Sequence, residues 1–286
     1  MNTVAAVVIL YNTDLNVLDN FNTYINQVEK LFIIDNSDFI NDSLIKNIQL
    51  IKNAEYICNS SNLGIAAALN LGAKRAMDEG FEYLLTMDQD SKATSEMVEN
   101  LFLIMKSASR IGIVTPEYIH SSTPEIRNNT YTKEILYTIT SGNLVNLLAF
   151  KEVGGYLEKL FIDHVDHEFC LRLNRYGYKV IKTNKAFLYH RVGNTVIKKF
   201  FRFSFCPSYH PPLRLYYRTR NRFYVDSIYK KIFPQYVKDD IRHFIREMLE
   251  IIIYEKDLWN KFKMVIKGYS HFKKNKMGKY TLKISS

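Results

Sequence analysis

An apolar run, Tyr83-Leu84-Leu85-Thr86-Met87, ends in two carboxylates one residue apart, Asp88 and Asp90, within Asp88-Gln89-Asp90-Ser91. No other feature constrains the chain as much. Successive side chains of an extended chain point to opposite faces, so Asp88 and Asp90 are expected on the same side at the strand's carboxyl end. In open α/β sheets that edge is where ligands bind. Two hard oxygen donors there suit Mg2+ or Mn2+, with positions left for water and phosphate oxygens. The pattern implies an enzyme handling a nucleotide diphosphate. A solvated acidic turn is the competing reading of Asp-x-Asp taken alone.

The flanking sequence supports such a sheet. Residues 4–10, Val-Ala-Ala-Val-Val-Ile-Leu, form a continuous apolar run, as in a strand covered on both faces. Residues 31–34 repeat the pattern and end at Asp35-Asn36-Ser37-Asp38, which reads as a ligand loop or as a plain Asx turn. Residues 54–58 read as a third strand. Asn59-Ser60-Ser61-Asn62-Leu63-Gly64 then leads into a helix from about Ile65 to Glu79. Ile65, Leu69, Gly72, Ala73 and Ala76 share one face of it, and Gly80 takes the C′ position. The small residues predict a close approach to the sheet. The Asn/Ser-rich entry caps this helix or turns its free N–H groups toward an anion. A helix opened by Thr94 or Ser95 carries Met97, Leu101 and Ile104 inward, and residues 111–115 form another strand. Strands alternating with helices predict a mostly parallel sheet with right-handed crossovers. No Gly-x-Gly-x-x-Gly follows the first strand and no Walker A sequence is present, which counts against a dinucleotide-binding domain and a phosphate-loop ATPase.

A second acidic cluster lies in residues 160–173. A helix from near Asp163 to Gly177 would place Asp163, Asp166 and His167 on one side. Carboxylates in a first turn complement the helix dipole. They also suit a base for sugar chemistry, which must be unprotonated near neutrality and aimed at an acceptor hydroxyl. His190 follows the apolar strand Ala186-Phe187-Leu188-Tyr189 and precedes Arg191-Val192-Gly193-Asn194, a place for a further metal or phosphate contact. His164-x-x-His167-Glu168 is not His-Glu-x-x-His, and no thiolate has matching spacing, so a zinc site is not expected.

Charge is unevenly placed along the 286 residues. Residues 198–286 hold 21 Lys and Arg against 7 Asp and Glu, a net of +14, while the rest hold 18 against 22. A slightly acidic body therefore carries a basic tail, suited to polyanionic partners. In that tail Arg214, Arg218, Arg220 and Arg222 are interleaved with Tyr216, Tyr217 and Phe223, and residues 241–254 read as an amphipathic helix. Its apolar face is expected on the core, on a second copy of the chain, or on an anionic membrane surface. Cys58, Cys170 and Cys206 are odd in number and widely spaced, which fits a reducing cytoplasm. No run of about 18 uncharged apolar residues occurs, so no spanning helix is expected. Met1-Asn2-Thr3-Val4 lacks the basic start of a signal peptide.

Taken in order, these segments resemble the family 2 glycosyltransferases of the GT-A fold, and within them the bacterial rhamnosyltransferase-like branch. The resemblance rests on Val8-Ile9-Leu10-Tyr11-Asn12, Ile33-Ile34-Asp35-Asn36-Ser37, Asn62 to Asn70, Met87-Asp88-Gln89-Asp90-Ser91, Ser141-Gly142-Asn143, Phe161-Ile162-Asp163-His164-Val165-Asp166 and His190. It extends to Arg214-Leu215-Tyr216-Tyr217-Arg218-Thr219-Arg220-Asn221. The resemblance implies a GT-A catalytic domain over residues 1–195, its nucleotide-binding half about 1–92 and its acceptor half about 93–195, followed by a basic, mainly helical region over 196–286. It implies Tyr11 and Asp35 at the nucleotide base, Asn62 and Gly64 beside the ribose and diphosphate, Asn12 and Asn70 as further donor-binding residues, and Asp88 on ribose or metal-bound water. Asp90 and His190, with Asp88 as a further candidate, would hold Mg2+ or Mn2+. Asp166 would be the general base, with Glu168 and Asp163 as alternatives because Val165 replaces the family's first acid. Ser141, Gly142, Arg218 and Arg220 would meet the acceptor or the diphosphate.

The implied reaction is metal-dependent, inverting transfer of rhamnose from dTDP-rhamnose, with a UDP-hexose as the alternative donor. The implied acceptor is a bacterial surface polysaccharide or a lipid-linked saccharide, met by a cytoplasmic protein at the inner face of the plasma membrane. A non-enzymatic nucleic-acid binder is the competing class. It leaves the clustered carboxylates unexplained, so no nucleic-acid partner is expected.

Overall fold

The computed structural model describes residues 4–119, 129–190, 198–200, 203–205, 207 and 209–281. The chain forms two compact units, Met1–Glu158 with Val165–Arg191, and Lys159–His164 with Val192–Ser286. Cys206, residues 191–194 and the expected boundary at 195 lie outside the described residues.

In the first unit the continuous apolar run of the chain's start becomes β1 (Val4–Leu10), which lies between β2 (Lys30–Asp35) and β4 (Tyr83–Asp88) and is parallel to both. Between β1 and β2 runs α1 (Val17–Phe21); α2 (Asp42–Ile48) leads to β3 (Ala54–Cys58), parallel to β2. α3 (Ile65–Asp78) crosses back to β4. Beyond β4 come β5 (Ser91–Ala93), α4 (Met97–Lys106), β6 (Ile111–Ile119), β7 (Thr132–Ile135), β8 (Asn143–Asn146), α5 (Leu147–Val153), α6 (Val165–Arg175) and β9 (Lys179–His190). The strand order is β3-β2-β1-β4-β8-β6-β9-β5, with β7 also paired to β9. The expected parallel pairing runs from β3 to β4. Beyond it the sheet is mixed: β8 enters antiparallel to β4 and β6, and β5 and β7 run antiparallel to β9. The turn that admits β8 contains Gly142 at φ 80°, a left-handed conformation that a side chain resists, and an added Cβ there would also press on Leu188 and Pro116.

Both faces of the sheet are covered. Alternate residues of β1 (Val4, Ala6, Val8, Leu10) join a core with Val17 and Phe21 of α1, Leu44 and Ile48 of α2, and Met97, Leu101 and Ile104 of α4. On the other face α3 buries Ala66, Leu69, Gly72, Ala73 and Ala76. A Cβ on Gly72 would overlap Val7, so this helix approaches β1 as closely as its small residues predict. Ile65 differs from expectation in being only half-buried.

The second unit holds the pair β10 (Lys198–Phe200) and β11 (Phe203–Phe205), followed by α7 (Pro212–Tyr229), α8 (Pro234–Tyr254) and α9 (Leu258–Lys273). α9 lies close against α7: a Cβ on Gly268 would stand 2.5 Å from the Tyr216 carbonyl. Asn221 of α7 donates to the carbonyls of Leu160, Ile162 and Asp163, tying the segment 159–164 into this unit. Arg222 bonds Asp240 at 2.7 Å and Glu247 at 3.1 Å, and Arg218 bonds Glu247 at 2.7 Å. α8 thus turns Asp240 and Glu247 inward and leaves Ile241, Ile245, Leu249, Ile252 and Ile253 exposed. The sequence pattern correctly marks an amphipathic helix. Its inward face pairs Asp240 and Glu247 with the α7 arginines and buries Tyr236 and Ile251 beside them.

Candidate active site

The register of three parallel strands gathers the first site residues. Leu10 of β1 pairs with Asp35 of β2, and Ile9 pairs with Asp88 of β4. Neighbouring strands lie about 4.8 Å apart, so Asp35 and Asp88 flank β1 at one edge, about 10 Å from each other. Asp35 is buried and accepts from the Tyr56 hydroxyl at 2.6 Å and the Ser37 N–H at 2.8 Å. That bond and burial both raise the Tyr56 pKa, burial more. The Asp35-Asn36-Ser37-Asp38 cluster is therefore an Asx turn and a loop facing the strand edge together. Tyr11 donates to Asp38 at 2.6 Å, and the Asn12 N–H donates to Ser37 Oγ with Asn12 in the left-handed region, φ 47°. Gln89, between the two aspartates, accepts from the Tyr11 N–H and donates back to the Tyr11 carbonyl, which locks the end of β1 to the acidic turn.

Asp88, Asp90 and His190 each present a ligand atom within 4.8 Å of the other two. Asp90 is half exposed (52 %), whereas the His190 side chain is 12 % exposed. His190 is brought here by the short antiparallel pairing in which Ser91 of β5 faces His190 of β9. Two carboxylates and an imidazole with one open side fit a divalent cation that keeps free positions for water and phosphate oxygens. A hydrogen-bond chain orients the set. The Asp88 N–H donates to Ser141 Oγ at 3.0 Å, Ser141 Oγ donates to Ser91 Oγ at 2.8 Å, and Ser91 Oγ lies 2.8 Å from His190 Nδ1. Both serines are fully buried. The Ser141 hydroxyl thus supports the acidic turn from within the fold, and Gly142 N–H bonds the Thr86 carbonyl at 2.7 Å.

Gly64 enters α3 at φ 88°, ψ 159°, a conformation open to glycine, and its N–H is capped by Asn62 Oδ1 at 2.9 Å. Asn70, one turn into α3, donates to the Tyr156 carbonyl and accepts from the Tyr156 N–H. Its amide clasps the loop before α6, work that the chain's order alone does not reveal.

The three candidate bases separate clearly. Glu168 is 2 % exposed and forms a two-pronged pair with Arg172, at 3.0 and 2.6 Å, while Arg172 also donates to the Val153 carbonyl. Asp163 does not belong to the helix: Phe161, Asp163 and His164 all have positive φ, which delays α6 to Val165. In the second unit Asp163 lies 3.3 Å from Arg214 and 3.8 Å from Arg218. Asp166, half-buried in the first turn of α6, has no ion-pair partner among the described residues; it accepts the His167 N–H at 2.9 Å. Arg218 and Arg220 are held by protein groups. Arg220 is fully buried, donating to the carbonyls of Gly278 and Leu160, and Arg218 is held by Glu247.

Tyr118 is a site residue that motif reading misses. Its pKa is raised, by burial first, against bonds from Thr115 and Thr138 that lower it; the charges of Asp88 and Asp166 add to the rise. Its hydroxyl lies 3.1 Å from the Ser141 carbonyl, and its ring lies 6.2 Å from that of His190. Tyr118 therefore stands in the fields of both Asp88 and Asp166. Ser91 is the second such residue. Its signal was adjacency to Asp90, but its function needs the β5–β9 register.

Comparison with known proteins agrees with this geometry. The dTDP-rhamnosyl transferase RfbF of Shigella flexneri is 29% identical over 241 residues, covering 76% of this chain and 78% of that protein. Among solved structures, GalNAc-T7 with UDP, GalNAc and Mn2+ superposes with a TM-score of 0.62 at 14% identity, over 96% of this chain and 56% of that one. The mannosyltransferase PcManGT of Pyrobaculum calidifontis, in complex with GDP-Man and Mn2+, gives 0.55 at 11% identity, over 94% of this chain and 69% of that one. The chain thus spans little more than half the length of GalNAc-T7, and these structural likenesses show the shared fold. The family model for glycosyl transferase family 2 matches residues 5–157, just over half of the chain. This protein belongs to glycosyl transferase family 2, and it is a glycosyltransferase.

Proposed function

We propose that the chain transfers L-rhamnose from dTDP-rhamnose to a hydroxyl of a bacterial surface polysaccharide or lipid-linked oligosaccharide, with inversion at the sugar carbon. The convergence of Asp88, Asp90 and His190 at the strand edge that also carries Asp35, with Tyr118 in the electrostatic reach of both Asp88 and Asp166, carries this reading. The donor follows the likeness to RfbF over three quarters of the chain. Tyr11, Asn12 and Asp35 hold the base, and Asn62 and Gly64 meet the ribose and diphosphate at the start of α3, where N–H groups favour anions. Mg2+ or Mn2+ on Asp88, Asp90 and His190 supplies charge neutralisation for the departing diphosphate. Asp166 accepts the proton of the acceptor hydroxyl as that oxygen bonds the sugar's anomeric carbon and the bond to the diphosphate breaks. Such a base contributes about 10²–10⁴-fold. The basic tail supports an acceptor met at an anionic membrane surface.

A thermal-shift panel of nucleotide sugars with Mg2+, with Mn2+ and with chelator tests the reading. A selective rise with dTDP-rhamnose, abolished by chelator and weakened at least about tenfold in Asp90→Ala, is expected. A selective rise with a UDP-hexose instead would change the donor. Undiminished donor affinity in Asp90→Ala with metal present would remove Asp90 from the metal site.

A further inference from the structure

The outward face of α8 carries an apolar stripe where a surface helix is ordinarily polar. Ile241, Ile245, Leu249, Ile252 and Ile253 are all exposed, Ile245 at 56 %. Their spacing of three, four and eight residues makes one stripe along the helix, spanning about 18 Å at 1.5 Å per residue. The inward face carries Asp240 and Glu247, neutralised by Arg222 and Arg218 of α7. The side that meets protein buries these charges beside Tyr236 and Ile251, yet five large aliphatic side chains remain in solvent, which marks the stripe as a surface awaiting an apolar partner.

Charge identifies the partner. Of the seven acids in residues 198–286, four (Asp226, Asp240, Glu247 and Glu255) are buried. Among the described lysines and arginines of that region only Arg220, Arg222 and Lys261 are. The described outer surface is therefore mainly basic, with Lys238, Arg242, Arg246 and Lys256 on or just beyond α8, Arg242 paired with Asp239 and Arg246 with Glu250, and Trp259 is 79 % exposed soon after it. A second copy would bring the same basic groups against themselves across a two-fold axis. An anionic bilayer satisfies both halves of the pattern: lipid head groups meet the lysines and arginines, and the acyl boundary receives the isoleucines and the indole. No helix among the described residues is long and apolar enough to cross a membrane.

We infer that α8 seats this protein on anionic membrane by laying its isoleucine stripe into the lipid interface. The inference rests on the membrane-side acceptor proposed above and names the element that makes the contact. Vesicle flotation tests it with phosphatidylcholine alone and with added phosphatidylglycerol, comparing the intact protein with Ile245→Lys/Leu249→Lys. Both positions are exposed, so the variant keeps its fold, checked by an unchanged melting temperature. The double variant adds two positive charges, so attraction by charge alone would strengthen its binding, whereas seating through the stripe predicts at least a tenfold loss of partition into the anionic vesicles. Adding the same two charges elsewhere, in Leu50→Lys/Leu148→Lys, should leave or increase binding. Three results overturn the inference: no binding of the intact protein to anionic vesicles, binding undiminished in Ile245→Lys/Leu249→Lys, or a vesicle-free dimer by light scattering that this variant converts to monomer. The donor thermal shift, read in parallel, separates this outcome from the catalytic reading: vesicle binding without any nucleotide-sugar response would sink only the latter.

Discussion

The two units use carboxylates in opposite ways. In the first unit Asp90, just past β4, and Asp166, in the first turn of α6, are partly exposed, and no arginine or lysine pairs with either among the described residues. In the second unit Asp240 and Glu247 are buried, each bonded to an arginine of α7. Burial disfavours the Asp240 anion, yet His164 and Arg222 outweigh it and hold the carboxyl well below the usual range. The contrast recurs within the first unit, where Glu168 is clamped by Arg172 two residues from Asp166. A carboxylate with a guanidinium partner is scaffold. One placed on an open edge beside other acids, with its charge uncompensated, is available to a cation or to a proton.

Removing the charge on each side of that contrast should give different failures. Asp166→Asn should reduce turnover by about 10²–10⁴-fold while donor affinity, read by calorimetry, stays within a few-fold. Full activity would make Asp166 another scaffold acid. Arg222→Ala should leave turnover per folded molecule intact but cost about 3–5 kcal/mol in urea unfolding, because Asp240 and Glu247 lose a buried partner. Asp226 is the exception that sharpens the rule: both its oxygens are buried without a hydrogen-bond partner among the described residues. Burial first, then the Asp240 charge, push its pKa up to about 7 against the pull of Arg222. A carboxyl raised in the folded state favours folding when protonated, so stability should fall as pH rises from about 4 through 7. Asp226→Asn should abolish that fall and gain about 1–3 kcal/mol at pH 8, with little gain at pH 4, again by urea unfolding. The smallest effect is expected for Ser91→Ala, which frees His190 Nδ1 from its fixed neighbour. Metal affinity should weaken by about tenfold, the lower end for a group that orients a ligand, with the melting temperature nearly unchanged.

Much of the fold was legible because continuous apolar runs and small-residue helix faces are local signals. β1, β3 and the start of α3 fall where the patterns put them, and Gly72 approaches β1 as expected. The start of α6 was not legible, since three left-handed residues before it leave no mark in periodicity. Asn70, Ser141 and Arg220 carry polar groups whose partners come from distant sequence, so only the folded chain shows that they brace rather than reach outward. Tyr118 and Ser91 enter the site through strand register. For α8 the pattern gave the correct period, and the arginines that pair with its inward face come from a different helix.

The pairing of Ser91 with His190 has a consequence for how such a protein can change length. β5 has only three residues, and its register with β9 fixes which side of the strand each one faces. Side chains alternate with every residue, so one residue inserted between Asp90 and Ala93 would send the imidazole or its serine to the opposite surface. Loops elsewhere in the intervening hundred residues can lengthen or shorten without this penalty. Loops grafted between β5 and β9 must therefore leave the three-residue pairing of Ser91–Ala93 in register.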